Sequence, residues 1–95
     1  MIVSFATNPK EKEMPKYRKK PVVIEAVQWT GNNVGELRDF LKHIPHSPIE
    51  DLRPFEIETL EGNHTAIVTD FIIIGIKGEA YPCKEDIFLA TYEKE

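Results

Sequence analysis

Residues 55–83 read FEIETLEGNHTAIVTDFIIIGIKGEAYPC, and the pattern of this stretch decides the fold. Apolar and polar residues alternate in FEIET, which is the period of a half-exposed β-strand. The turn residues EGN then predict a return strand, HTAIV. A second turn at TD precedes FIIIGI, a run that predicts a buried strand, and Lys77-Gly78 predict a two-residue hairpin before EAYPC. Four strands joined by tight turns are expected.

The residues before this stretch predict one strand and one helix. PVVIEAVQW, residues 21–29, is rich in β-branched residues and apolar on both faces, which predicts a central strand. In VGELRDFLKH, residues 34–43, apolar residues recur at helical spacing. Asn33 is the predicted N-cap, with Glu36 as its capping-box partner, and Pro45 ends the helix.

The residues after the stretch predict a short helical turn and a last strand. KEDIF forms the turn, with Ile87 and Phe88 directed inward, and LATYE, residues 89–93, is the closing edge strand. The fold class is therefore α+β, with a small, mostly antiparallel β-sheet of about five strands and one amphipathic helix packed on one face.

The chain divides into an arm and one domain. Residues 1–16 mix charge with proline and predict a flexible N-terminal arm, and residues 17–95 form a single α+β domain. Met14 offers a second start for translation, so residues 1–13 are either native or an extension. Residues 44–54 contain three prolines and predict a loop, of the long kind that often carries binding.

Charge and composition restrict the partners and the compartment. The net charge is −4, but residues 10–20 carry +4 and residues 21–95 carry −8. An acidic body disfavours nucleic-acid binding except through the basic arm. No apolar run approaches the roughly 18 residues of a membrane span. A single cysteine, which cannot form an internal disulfide, agrees with a reducing compartment, so a cytosolic protein is expected.

Residues with catalytic or metal-binding chemistry do not form a recognisable pattern. Cys83 could be activated at the start of a short helix, but nothing in the spacing brings His43, His46 or His64 to it. The HIPH pair matches no closed zinc pattern, and no Gly-rich phosphate loop is found. We therefore expect no enzymatic activity, no metal and no cofactor, with a cysteine-dependent enzyme as the least favoured alternative.

Candidate binding residues fall in two groups. The first is for a protein partner and consists of Glu56 and Glu58 on the exposed strand face, with Trp29 and Tyr81 as aromatic surface anchors. The second is for a small ligand of nucleotide type, in which Lys77 and Lys84 supply cations and Tyr81 a stacking surface. The oligomeric state is left open, with a homodimer as one option.

Two segments carry a family resemblance. YRKKPVVIEAVQWTG, with ETLEGNHTAIVTDFIIIGIKGEAYPCKEDIFLATYE, resembles a family of small uncharacterised proteins encoded by bacteriophages and prophages. Members pair a YRKKPVVIEA-QW opening with a GD-II-GVKGE-YPCK-DIF-ATYE ending, and the resemblance covers residues 17–30 and 55–93. Val68-Thr69-Asp70 stand where members usually have Pro-Gly-Asp, which changes the turn but keeps the aspartate.

The resemblance implies an origin rather than an activity. The family has no established activity, so no catalytic residues are carried over to this chain. The expected function is that of a phage accessory protein that acts in the bacterial cytoplasm by binding a host protein, as an inhibitor or modulator of host or defence machinery.

Overall fold

The computed structural model describes residues 15–18 and 20–94, and in this part of the chain five strands and two helices form an α+β fold. The strands are β1 (Glu25–Gln28), β2 (Phe55–Thr59), β3 (Gly62–Ala66), β4 (Phe71–Ile74) and β5 (Ala80–Cys83). The helices are α1 (Val34–Phe40) and α2 (Glu85–Thr91). All strand pairs are antiparallel, so the predicted fold class is confirmed. Of the predicted arm, only residues 15 and 16 lie within the described part.

The strands divide between two sheets, of three strands in the order β1-β4-β5 and of two strands, β2-β3. The central strand is β4, so the prediction that the first strand is central was wrong. The isoleucine run of β4 fits this position, because Ile72 and Ile73 point to opposite faces of the sheet and both are buried. β1 begins at Glu25, later than predicted, since β4 ends at Ile74 directly opposite Glu25.

The main core lies on one side of the three-stranded sheet, where α1 and the β2–β3 hairpin meet it. Its buried residues are Trp29, Leu37, Leu41, Ile49, Phe55, Ile57, Ala66, Ile72 and Ala80. The rings of Trp29 and Phe55 meet edge to face, with centroids 6.1 Å apart. Ile49 comes from the predicted loop 44–54, which follows the edge of β2 through bonds such as Ser47 N to Glu56 O at 2.9 Å.

Helix α1 begins where the sequence predicted, but by a different arrangement of bonds. The Asn33 side chain makes no cap bond to the helix backbone. Its amide instead donates to Glu36 Oε1 and to Gln28 O, both at 2.8 Å. Asn33 thus ties the helix start to the end of β1, and the predicted capping box is wrong in its bonds. The helix ends at Phe40, three residues before the predicted end at His43.

The prediction of an edge strand at residues 89–93 was wrong, because helix α2 runs through residue 91. Its backbone bonds continue from Phe88 N to Lys84 O through to Tyr92 N to Phe88 O. Helical spacing puts Phe88 and Tyr92 on one face, where their ring centroids are 5.0 Å apart. Phe88 stacks on Phe71 of β4 with centroids 3.9 Å apart, whereas Ile87, which was expected to point inward, is 56% exposed.

The two turns beside β4 use left-handed backbone. At the β4–β5 turn, Gly75 N donates to Glu79 O at 2.8 Å, so three residues, 76–78, form the tip. The predicted two-residue turn was therefore one residue too short, although Gly78 does have a positive φ of 83°. In the turn before β4, Thr69 also has a φ of 83°, a conformation that is rare for a β-branched residue. Among the described helices, none is long and apolar enough to cross a membrane.

Candidate functional site

The exposed side of the β2–β3 hairpin forms an acidic surface, which we call the acidic hairpin face: Glu56, Glu58, Glu61, Asn63 and Thr65. Phe55 and Ile57 point into the core, so the alternation of the strand leaves Glu56 and Glu58 exposed together, as predicted. Across the hairpin, Asn63 Nδ2 donates to Glu56 Oε1 at 3.0 Å. This bond orients Glu56 but leaves its charge in place.

The carboxylates of the acidic hairpin face have no cationic partner among the described residues. The described residues form three ion pairs: Asp39–Lys42 at 4.0 Å, Glu50–Arg53 at 3.5 Å and Asp70–Lys84 at 3.3 Å. None of them includes Glu56, Glu58 or Glu61. The negative charge of the face is therefore not neutralised locally, and it is available to a partner of opposite charge.

An open groove of about 990 Å³ adjoins this face. The hairpin forms one wall, and the β4–β5 turn with the start of β5 forms the other. Its polar lining comprises His43, Glu58, Thr59, Glu61, His64, Lys77, Glu79 and Tyr81. Ile44, Pro45, Leu60 and Pro82 add apolar surface. With three carboxylates against one lysine, the groove is acidic.

The predicted small-ligand residues are only partly brought together. Lys77 and Tyr81 line the groove, but Lys84 does not, and its ammonium group is bound to Asp70. Burial, followed by the hydrogen bond with Tyr92, raises the pKa of the Tyr81 phenol. Tyr81 is therefore partly engaged with Tyr92, directly after helix α2, rather than fully presented to the groove.

Trp29 lies in the core, so its expected role as a surface anchor is wrong. Its side chain is 0% exposed, and its indole Nε1 has no hydrogen-bond partner among the described residues. The backbone hydrogen bonds of Trp29 explain this burial: Trp29 N donates to Asp70 O at 2.8 Å, and Trp29 O accepts from Thr69 N at 2.7 Å. These bonds extend the β1–β4 ladder by one residue and place the indole against Phe55.

A polar cluster around Asp70 was missed by the sequence prediction. Asp70 is 1% exposed, and its carboxylate accepts from Ile67 N at 3.0 Å and from Lys84 Nζ at 3.3 Å. Beside it, Gln28 Nε2 donates to Thr69 O and to Glu85 Oε2, both at 3.0 Å. The cluster links β1, the turn before β4 and the start of α2. An aspartate directly before an apolar strand run was the available signal.

Cys83 lies half-buried on the outer face of the three-stranded sheet, opposite Phe71 in the register. Burial, and then the negative charges of Asp70 and Asp86, raise the pKa of its thiol. A raised pKa disfavours the reactive thiolate at neutral pH. Within the described residues no hydrogen bond joins Cys83 to a histidine, and no group of three metal-binding side chains is found.

Comparison with known proteins gives no match to a protein family, a curated protein or a solved structure. The geometry of the site offers an exposed acidic face with an adjoining acidic groove and, on the other sheet, a buried polar cluster that joins secondary-structure elements.

Proposed function

We propose that this chain is a phage-encoded accessory protein that acts without catalysis, by binding a basic surface of a host protein in the bacterial cytoplasm. The acidic hairpin face is the binding surface. The observation that carries the proposal is a cluster of unpaired charge: Glu56, Glu58 and Glu61 lie together on one hairpin, and none of them has an ion-pair partner among the described residues.

Uncompensated charge on a rigid strand suits recognition of a basic partner. Opposite potentials speed the encounter of two proteins and fix their orientation, whereas like charges reject wrong partners. The hairpin holds its carboxylates at fixed spacing because β2 and β3 are paired over five residues and anchored by Phe55 and Ile57 in the core. The adjoining groove adds apolar surface and Tyr81, which suits the long side chains of lysine and arginine.

Host proteins that bind nucleic acid carry basic surfaces, because these surfaces contact the negatively charged phosphate backbone. A protein that carries carboxylates on a sheet face can occupy such a surface in place of the phosphate backbone. This supports a role for the chain as an inhibitor or modulator of host or defence machinery. The resemblance of residues 17–30 and 55–93 to a phage protein family agrees with a phage origin.

The geometry supports a nucleotide binder less well. Lys84 is committed to Asp70 on another part of the surface, and the groove beside Lys77 and Tyr81 has three carboxylates that repel phosphate. A cysteine-dependent enzyme is also less well supported, because the pKa of Cys83 is raised rather than lowered.

The test is affinity capture from bacterial lysate with three immobilised proteins: the natural chain, Glu56→Lys/Glu58→Lys, and the control Asp39→Lys/Glu93→Lys. The two variants change the net charge equally and alter only exposed residues. We expect one host protein to be retained in stoichiometric amount by the natural chain and by the control. The hairpin variant should lose it, with at least a tenfold weaker affinity for that purified protein.

Two results would contradict the proposal. Equal retention by all three proteins would show that the acidic hairpin face does not make the contact. Loss of binding in both variants would show that only the net charge matters, which is the behaviour of nonspecific attraction.

A further inference from the structure

Residues 10–20, which we call the basic segment, carry cations whose described members have no partner. Lys16, Arg18 and Lys20 are exposed, and none of them belongs to the three ion pairs of the described residues. The basic segment has a charge of +4, whereas residues 21–95 have a charge of −8. The same chain thus holds unpaired cations at one place and the unpaired carboxylates of the acidic hairpin face at another.

The charges of the basic segment alternate along the sequence. Its two acidic residues, Glu11 and Glu13, occupy odd positions. Five of its six cations occupy even positions: Lys10, Lys12, Lys16, Arg18 and Lys20. In an extended chain alternate residues point to one side, about 7 Å apart. Pro21 favours extended backbone at Lys20, the residue before it. An extended basic segment therefore has one side that carries cations without the glutamates.

The basic segment leaves the sheet beside the acidic groove. Glu25, the first residue of β1, lies opposite Ile74, and Ile74 lies opposite Ala80 of β5. Two strand spacings, about 10 Å, therefore separate Glu25 from Ala80, which lines the groove. Packed sheets lie roughly 10 Å apart, so the hairpin wall of the groove follows at a similar distance. The nine residues from Glu25 back to Lys16 span up to about 30 Å, which is sufficient to reach it.

We propose that the basic segment binds the acidic hairpin face of its own molecule, and that a basic partner must displace it. Glu56 and Glu58 alternate on β2 and so have the same repeat of about 7 Å as the cations of an extended segment. The contact is autoinhibitory, because the segment and the partner need the same carboxylates. That regulatory role rests on the proposed function, whereas the contact itself needs no partner.

The occupant is the chain's own segment rather than that of a second copy. A short flexible connection gives a tethered group an effective concentration of about millimolar, which exceeds the concentration of other copies in a dilute solution. Each exposed ion pair is weak, so several of them form a contact that reverses readily. Reversal is what displacement by a partner requires.

The first experiment detects the contact directly, by cross-linking the full chain with a water-soluble carbodiimide. This reagent joins a lysine ammonium group to a carboxylate that it touches, and mass spectrometry identifies the joined residues. We expect cross-links from Lys16 or Lys20 to the acidic hairpin face in the monomer band. They should be lost at about 1 M salt, where charges are screened beyond about 3 Å. Lys94, which lies near helix α2 on the outer side of the sheet, is the internal control and should give none.

The second experiment measures competition, with a fluorescent octalysine peptide as the basic probe at low salt. The arm variant is Lys16→Ser/Arg18→Ser/Lys20→Ser. The control removes the same number of charges from exposed cations outside the basic segment: Lys42→Ser/Arg53→Ser/Lys94→Ser. Fluorescence anisotropy should show that the arm variant binds the probe about threefold or more tightly than the control does, because three weak ion pairs no longer compete.

Three results would overturn the proposal. Without cross-links from the basic segment to the hairpin, the contact does not form. Cross-links confined to a covalent dimer would show that the face takes the segment of a second copy. Equal affinity of the two variants for octalysine would mean that only net charge matters and that the segment does not compete.

These results are separate from the test of the proposed function. Cross-links in the monomer without a captured host protein would keep the contact and remove the proposed function. A captured host protein that the hairpin variant loses, together with an absence of cross-links, would keep the proposed function and remove the autoinhibition.

Discussion

The two sides of the three-stranded sheet are built differently. On the inner side, α1 and the β2–β3 hairpin bury residues such as Leu37, Ile57 and Ile72 completely. On the outer side, α2 has no fully buried residue. The inner side thus depends on apolar burial, whose stabilisation is roughly proportional to the area removed from water. The outer side buries Ile73 of β4 but otherwise depends on a few specific contacts.

Those outer contacts are one aromatic stack and two polar links. Phe88 lies on Phe71, Lys84 binds Asp70, and Gln28 binds Glu85. All three fix α2 by its first turn and its middle. The same sheet therefore supports a core on one face and a lightly attached helix on the other. Local opening is therefore expected to begin at α2.

The largest difference between the two sides should come from leucine truncation. Leu37→Ala leaves a cavity in the core, and we expect it to lower the free energy of unfolding by about 2–5 kcal/mol. Leu89→Ala in α2 is the matched control, because Leu89 is 62% exposed and should cost less than about 1 kcal/mol. Urea denaturation followed by Trp29 fluorescence measures both. Equal losses would contradict the difference between the sides.

A smaller effect should come from the polar link between Lys84 and Asp70. Lys84→Met leaves the buried Asp70 carboxylate with its bond to Ile67 N but without a cation, and we expect a loss of about 1–2 kcal/mol. The loss is limited because Lys84 is itself 57% exposed. Lys77→Met is the control, since Lys77 has no ion pair in the described structure, and its effect should stay within about 0.5 kcal/mol.

A double-mutant cycle identifies the cause of that loss. If the buried charge is responsible, Asp70→Asn should cost less in the Lys84→Met background than in the natural chain, because the asparagine needs no cation. Additive losses would show that the two residues act separately and that Lys84 holds α2 only through its side-chain packing.

The sequence predicted those parts of the molecule that local pattern determines. Alternation in FEIET gave β2 and the exposure of Glu56 and Glu58, and helical spacing gave the start of α1 at Val34. In both cases the repeat of apolar residues matches the face that the core covers. The fold class followed from the order of these elements.

The remaining features depend on contacts between distant residues. β1 is an edge strand because β4 lies at the centre of the sheet. Residues 89–91 are helical because Phe88 stacks on Phe71, 17 residues away in the chain. Asp70 could not be recognised as buried without the position of Lys84. Such pairings are set by tertiary packing, which overrides the local preference of a short segment.

The smallest effect should be a dependence of stability on alkaline pH that comes from Cys83. Burial raises the pKa of this thiol in the folded chain above its ordinary value of 9.0. Below that value the thiol is protonated in both states, and its contribution to stability is fully present. As the pH rises further, the unfolded chain releases the proton first, so the free energy of unfolding falls until the folded pKa is passed.

Cys83→Ala isolates this contribution. We expect the natural chain to lose more stability than the variant as the pH rises above 9.0, with parallel behaviour below it. The Tyr81 phenol, whose pKa is also raised, acts above its own ordinary value of 10.0. Because Cys83 is one of the charges that raise it, the two proteins are compared between pH 9.0 and 10.0. Curves that stay parallel throughout would mean that the thiol is equally hydrated in both states. In that case α2 would not shield Cys83 from water. The two sides of the sheet would then differ more in burial than the contacts of Phe88 and Lys84 imply.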